Sequence, residues 1–113
     1  MKYLKSYKKS TEDDLSNSPQ PGDYVICEEE DIAEELENFI NNNIGQFIEY
    51  SKRQNQINYH LIQYNNIPNN ILRFFKHSST LPNCRFMVLE EIKHWSPNKE
   101  KLEPIILAKK FNI

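Results

Sequence analysis

Hydrophobic positions in this chain fall mostly into short alternating runs, with one stretch at helical spacing. From Ile44 to Tyr64 the chain reads IGQFIEYSKRQNQINYHLIQY. Ile44, Phe47, Ile48 and Tyr50 make one β-type run, and Ile57, Tyr59, Leu61, Ile62 and Tyr64 make another. Lys52 to Gln56 between them holds only polar residues. β-branched and aromatic residues on both sides of a short polar gap predict a β-hairpin, and this hairpin is the expected centre of the fold. Gly45, at its start, predicts a bulge or a close backbone approach.

The flanks supply partners for it. Gly22-Asp23 is a turn leading into the strand Tyr24-Val25-Ile26-Cys27. Between Glu28 and Asn42 the period changes: Ile32, Leu36, Phe39 and Ile40 lie at i, i+4, i+7 and i+8, one face of a helix. Asp31 or an earlier Glu is its expected cap, and Asn41-Asn42-Asn43 its end, where Asn tolerates a left-handed C-cap. Asn65 to Asn83 is irregular, with one or two helical turns over ILRFFKH covering an open end of the sheet. Cys84 to Leu89 reads as a strand, Glu90 to Ile92 as a 3₁₀ turn and Lys93 to Trp95 as a short last strand. Ser96-Pro97 predicts a helix start, with Pro104 kinking or restarting the helix. Leu102, Ile105, Ile106 and Phe111 are its expected docking side. Residues 1–21 read as a flexible tail, polar and proline-ended, although Tyr3, Leu4 and Tyr7 offer docking groups. Residues 22–113 then form one small domain.

Composition narrows the classes. With 113 residues, 38% of them hydrophobic and 12% aromatic, the chain is long enough for one core without staples. A net charge of −2 exerts no general pull on nucleic acid or anionic membrane. Charge is nevertheless uneven: Glu28 to Glu37 carries seven acids in ten positions, and the first nine residues carry four lysines and no acid. The acidic run lacks the glycine and alternating ligands of a calcium loop, and reads as a solvated helix face. Cys27 and Cys84 sit in apolar runs and read as buried thiols. The start MKYLKSYKKS has no apolar core of a secretory signal, and no run is long enough to span a bilayer, so the expected location is cytoplasmic. Fourteen Asn, thirteen Ile and eleven Lys, against two Gly and three Arg, point to a low-GC genome.

These residues together resemble a known fold type. The GDYV strand, the strand opening on Ile44-Gly45, the strand ending at Tyr64 and RFM…EEI before a last short strand resemble small SH3-like barrels of the KOW and Tudor-like kind. The same pattern, with its Lys- and Tyr-rich start, is similar to short open reading frames of phages and other low-GC mobile elements. The resemblance implies an α+β fold, mostly β: an antiparallel barrel of about five strands with an inserted acidic helix and a C-terminal helix. It carries no catalytic residue.

Candidate chemistry is sparse, and the chain does not reveal a specific activity. A Cys-His pair, for example Cys84 with His60, would be needed for a small hydrolase, but no glycine elbow or oxyanion donor set accompanies it. Cys27, Cys84, His77 and His94 lack metal-ligand spacing. Neither a cofactor motif nor a phosphate loop is present. Lys52, Arg53, Arg73, Lys76, Arg85 and Lys93 lie near aromatics, the combination small barrels use for single strands or RNA. The first expectation is a non-enzymatic protein-interaction module acting through Tyr50, Tyr64, Arg73, Phe74, Phe75, Lys76 and Trp95. Nucleic-acid binding is the alternative and a hydrolase a distant third. The expected partner is a protein, with the chain itself a monomer or homodimer.

Overall fold

The hairpin stands in the middle of a five-stranded antiparallel sheet. The structure is a computed structural model, and it describes residues 18–52, 58–77 and 80–111, the side chains of Lys52 and Asn58 excepted. The strands are β1 (Tyr24–Cys27), β2 (Ile44–Lys52), β3 (Asn58–Gln63), β4 (Cys84–Met87) and β5 (Ile92–Ser96). Their order across the sheet is β4-β3-β2-β1-β5. The hairpin turn at 53–57 and the tail at 1–17 lie outside the described residues. The last part of the expected tail belongs to the fold: Pro19 is fully buried, and its carbonyl accepts a hydrogen bond from the Tyr50 hydroxyl at 3.3 Å.

Register is set by the apolar alternation. Val25 pairs with Gly45 on one side and Trp95 on the other. Phe47 pairs with Ile62, and Ile62 with Arg85. Ile48 is an extra residue in β2, since Phe47 pairs with Ile62 and Glu49 with Leu61. A bulge of this kind bends and twists its strand. A second irregularity follows Ile26, where Cys27 pairs with Ile92 and skips Lys93. Gly45 is required by close packing: a Cβ there would lie 2.5 Å from Ile62 Cγ2 and 3.0 Å from the Tyr64 ring. The predicted close approach is thus made by the hairpin's own second strand.

The five antiparallel strands are present, but they do not close into the expected barrel. The hydrogen-bonded ladder is open, with β4 and β5 as its two edges. The gap is bridged locally. Glu28 N–H donates to Glu91 O at 2.8 Å, and Arg85 of β4 is bonded to Glu29.

One face of the sheet carries Val25, Cys27, Phe47, Ile62 and Met87, packed with Leu36, Ile40, Ile71 and Phe75 from the connections. Leu36 and Ile40 come from α1 (Glu34–Asn41), which is shorter than the periodicity predicts. Asp31 adopts φ 61° and breaks the helical path, so neither it nor an earlier Glu caps the helix; Ala33 stands at the N-cap with no side-chain cap. The C-terminus also departs from expectation. Asn42 is not left-handed (φ −115°). Instead the Asn42 and Asn43 side-chain amides each donate at 2.8 Å to carbonyls of the last turn, Asn38 O and Phe39 O. These bonds satisfy acceptors that a helix end leaves open.

Asn69–Phe74 forms the predicted short helical segment as a 3₁₀ helix, and buries Ile71. Leu89–Glu91 is the 3₁₀ turn between β4 and β5. The C-terminal helix starts later than Ser96-Pro97 predicts. Ser96 ends β5, its hydroxyl accepting Asn98 N–H at 3.0 Å, and a 3₁₀ turn at Lys99–Lys101 follows. α2 then covers Glu103–Lys110, with Pro104 in its first turn. A proline lacks the N–H that a first turn does not use, so Pro104 restarts the helix and does not kink it. Leu102 docks and is buried, Ile105 and Ile106 are half-buried, and Phe111 stays exposed. Lys109 ties α2 down, donating to Asn41 O at 3.0 Å and Glu28 Oε2 at 3.2 Å. No helix among the described residues is long and apolar enough to cross a membrane.

Candidate functional site

The residues expected to bind a partner do not form one site. Tyr64 and Phe75 are core residues, 1% and 5% exposed. Each meets Phe39 edge-on, at centroid distances of 5.6 and 6.0 Å, and they meet each other at 5.9 Å. Strand alternation turns Tyr64 to the same side as Ile62, which is why it leaves the surface. Trp95 is partly buried against the core, opposite Val25, and so acts as a lid. Tyr50 is 48% exposed and stacks its edge against Phe47 at 4.9 Å and against His60 at 5.1 Å.

Arg73 and Phe74 are in contact, and Lys76 lies beside the β4 edge over a different ring. The Arg73 guanidinium lies 4.4 Å from the Phe74 centroid and donates to Asn70 O at 2.5 Å. Lys76 Nζ lies 5.8 Å from the Phe86 centroid, and Phe86 meets Tyr59 edge-on at 6.0 Å. Lys76 also forms a β-bridge with Cys84. One other cation of the expected basic set is not available there. Arg85 is engaged by Glu29, and Arg53 lies outside the described residues.

Neither cysteine is set up as a nucleophile. Both cysteines are free and buried. Burial pushes the Cys27 thiol up to about 12, which keeps it protonated and unreactive. Burial also raises Cys84. His60 pairs with Met87 and Cys84 with Gln63, so the His60–Cys84 pair is not formed. His60 is buried between Phe47 and Tyr50, with Nδ1 unpartnered and its basicity lowered by burial. No group of three or more His, Cys, Asp or Glu side chains that could hold a metal ion occurs among the described residues.

A different place has the shape of a binding site. A groove of about 570 Å³ lies where α2 meets the ends of the hairpin. Asn42, Asn43, Asn65 and Asn66 line one wall. Ile44, Ile106 and Leu107 supply aliphatic surface, and Lys99, Glu100, Glu103 and Lys110 supply charges of both signs. No aromatic residue lines it. The hairpin register explains the wall: extending the Gln46–Gln63 pairing places Ile44 opposite Asn65 and Asn43 opposite Asn66. The Asn42 and Asn43 amide nitrogens are held by the end of α1, so their side-chain oxygens are the acceptors left over. Leu107, in the lining, is 55% exposed, and Phe111, just past the end of α2, is 67% exposed, unusual values for residues of this size. Sequence reasoning missed this site because Asn41-Asn42-Asn43 reads as a helix end and Asn65-Asn66 as a loop. The signal was their placement at the two matching ends of one hairpin.

Comparison with protein-family models, with curated proteins and with solved structures finds no match to this chain.

Proposed function

We propose that this chain is a non-enzymatic protein-interaction module, and that the groove beside α2 receives an apolar side chain from a polypeptide partner. The observation that carries it is the lining: aliphatic floor, carboxamide wall, both signs of charge at the mouth, and no aromatic. Bases and sugars are held by stacking on aromatic faces, and none is offered here. Carboxamides instead match the donor and acceptor pattern of a peptide group. Glu100 and Glu103 against Lys99 and Lys110 suit a partner that presents both charges around its apolar anchor. The scaffold we propose is an SH3-like barrel with an unpaired seam. Its support is the strand order, the 3₁₀ turn between β4 and β5, the bulge at Ile48 and the ion pair that ties the β4 edge to the chain just beyond β1.

The test is selection from a random-peptide display library, followed by titration of a selected peptide into the isotopically labelled chain. Amide signals of Ile44, Asn66 and Leu107 should shift, and Leu107→Glu should abolish the shifts. Enrichment of no peptide, or shifts confined to another face, would overturn the proposal.

Nucleic-acid binding has its own observation, the placing of Arg73 on Phe74 and of Lys76 near Phe86 with Tyr59. Against it, Arg85 and Lys109 are committed to internal carboxylates. A single-stranded oligonucleotide titrated at about 50 mM salt separates the two, because phosphate contacts weaken steeply with added salt.

A further inference from the structure

Building on that interaction module, we propose that the polypeptide seated at the groove is α2 of a second copy of this chain, giving a weak two-fold dimer. The exposed stripe of α2 runs Glu103, Leu107 and Lys110, four and three residues apart, with Phe111 four beyond Leu107, and so lies on one face. Its charge runs from acid at the helix start to base at the helix end, with leucine between. A stripe of that kind is complementary to itself when turned through 180°. Leu107 then meets Leu107 of the other copy, and Glu103 of each meets Lys110 of the other. The two helix dipoles also oppose. In the same arrangement Phe111 of each copy lies over Glu103 and Pro104 of the other, both of which line the groove. Phe111 is the most exposed large hydrophobic of the described residues, and this covers it with α2 of the other copy. A contact that uses the same patch on both copies closes on itself and stops at two.

The dimer is expected to be weak. A helix of eight residues is about 12 Å long, too short to reach the roughly 1,200 Å² that stable complexes bury.

The experiment is sedimentation equilibrium of the full chain from about 10 µM to about 1 mM, the range that brackets such a contact. The mean mass should rise toward that of a dimer with concentration. Phe111→Ser and Leu107→Ser should each weaken association about tenfold, the effect of losing roughly 1.4 kcal/mol. Glu103→Lys alone and Lys110→Glu alone should each weaken it, since each puts like charges together. Mixing these two single variants should restore association, because every charge pair is then opposite. Recovery on mixing also excludes misfolding as the cause of the single losses. A chain that stays monomeric throughout, or a dimer indifferent to both charge swaps, overturns the proposal. If the chain is monomeric yet a selected peptide still shifts the groove signals, self-association falls and the interaction module stands.

Discussion

Arg85 and Glu29 are joined by two parallel hydrogen bonds, Nε to Oε2 at 2.6 Å and Nη2 to Oε1 at 2.9 Å, across 56 positions of sequence. Arg85 Nη1 also donates to Phe74 O at 2.9 Å. One guanidinium thus fastens the β4 edge to the residue just beyond β1 and to the 3₁₀ segment that covers the core. Both side chains are largely buried, at 19% and 8% exposure. Removing one partner strands the other, so Arg85→Ala should destabilise the fold by about 3 kcal/mol. The double variant with Glu29→Ala should cost less than the sum of the singles. Urea unfolding of the four chains measures both.

Gly45 admits no side chain without movement of Ile62 or Tyr64. Gly45→Ala should destabilise by about 2 kcal/mol through overpacking, although alanine has the better backbone propensity. In an Ile62→Leu background, where the Cγ2 branch is gone, Gly45→Ala should cost less than it does in the native chain. Thermal melts of the single and double variants check this.

Stability should fall on the alkaline side. In the unfolded chain Cys27 titrates near 9.0, and in the fold near 12. Between those values the folded state holds a proton that the unfolded state has lost, so stability present below pH 9 declines as pH rises toward 12. Tyr64, raised by burial, adds to the decline above its ordinary value of 10.0. Cys27→Ala should flatten the slope of stability against pH from about 9 upward. The native thiol should also resist alkylating reagent until the chain is unfolded.

The acid side has the opposite cause. Burial lowers His60 below 6.5, so the unfolded chain takes up a proton first as pH falls through that value. Stability is therefore complete above about pH 6.5 and is lost progressively below it. His60→Gln should reduce the slope between pH 5 and 6.5, measured by denaturant midpoints. Glu91, raised by burial, opposes this trend, since its folded-state carboxyl keeps a proton above its ordinary value of 4.5.

Trp95 and Phe111 should separate packing from exposure. Trp95→Ala removes a ring packed on the core and should cost about 2 kcal/mol, less than the usual value for a fully buried tryptophan. Phe111→Ala should leave the unfolding midpoint of the dilute chain unchanged within about 0.5 kcal/mol.

What the sequence made legible is what depends on near neighbours. The hairpin, the strand at Tyr24, the 3₁₀ turn before β5 and the buried face of α1 all follow from local alternation or helical spacing. The misread boundaries depend on partners far along the chain. α1 begins late because Glu28 and Glu29 are drawn to Glu91 and Arg85, and no periodicity within Glu28 to Glu37 encodes that. Tyr64 and Phe75 look like surface aromatics until the register puts them beside Phe39. Phe111 has the spacing of a docking residue, yet the helix restarts at Pro104 and Phe111 stays outside. The groove was the least legible feature, because it joins two polar turns to a helix whose start was misplaced.

The open seam has a consequence for the order of assembly. The β2–β3 ladder closes a short loop, whereas β1 meets β5 only by joining Tyr24 to Ser96. Loop-closure entropy favours the local pairing first, and long-range pairing sets the rate. The Arg85–Glu29 bond needs the β4 edge and the chain just beyond β1 to be in place, a contact across 56 positions. Its loss should accelerate unfolding while leaving the refolding rate nearly unchanged. The ion pair then acts as a latch on the lifetime of the folded state and contributes little to how fast that state is reached.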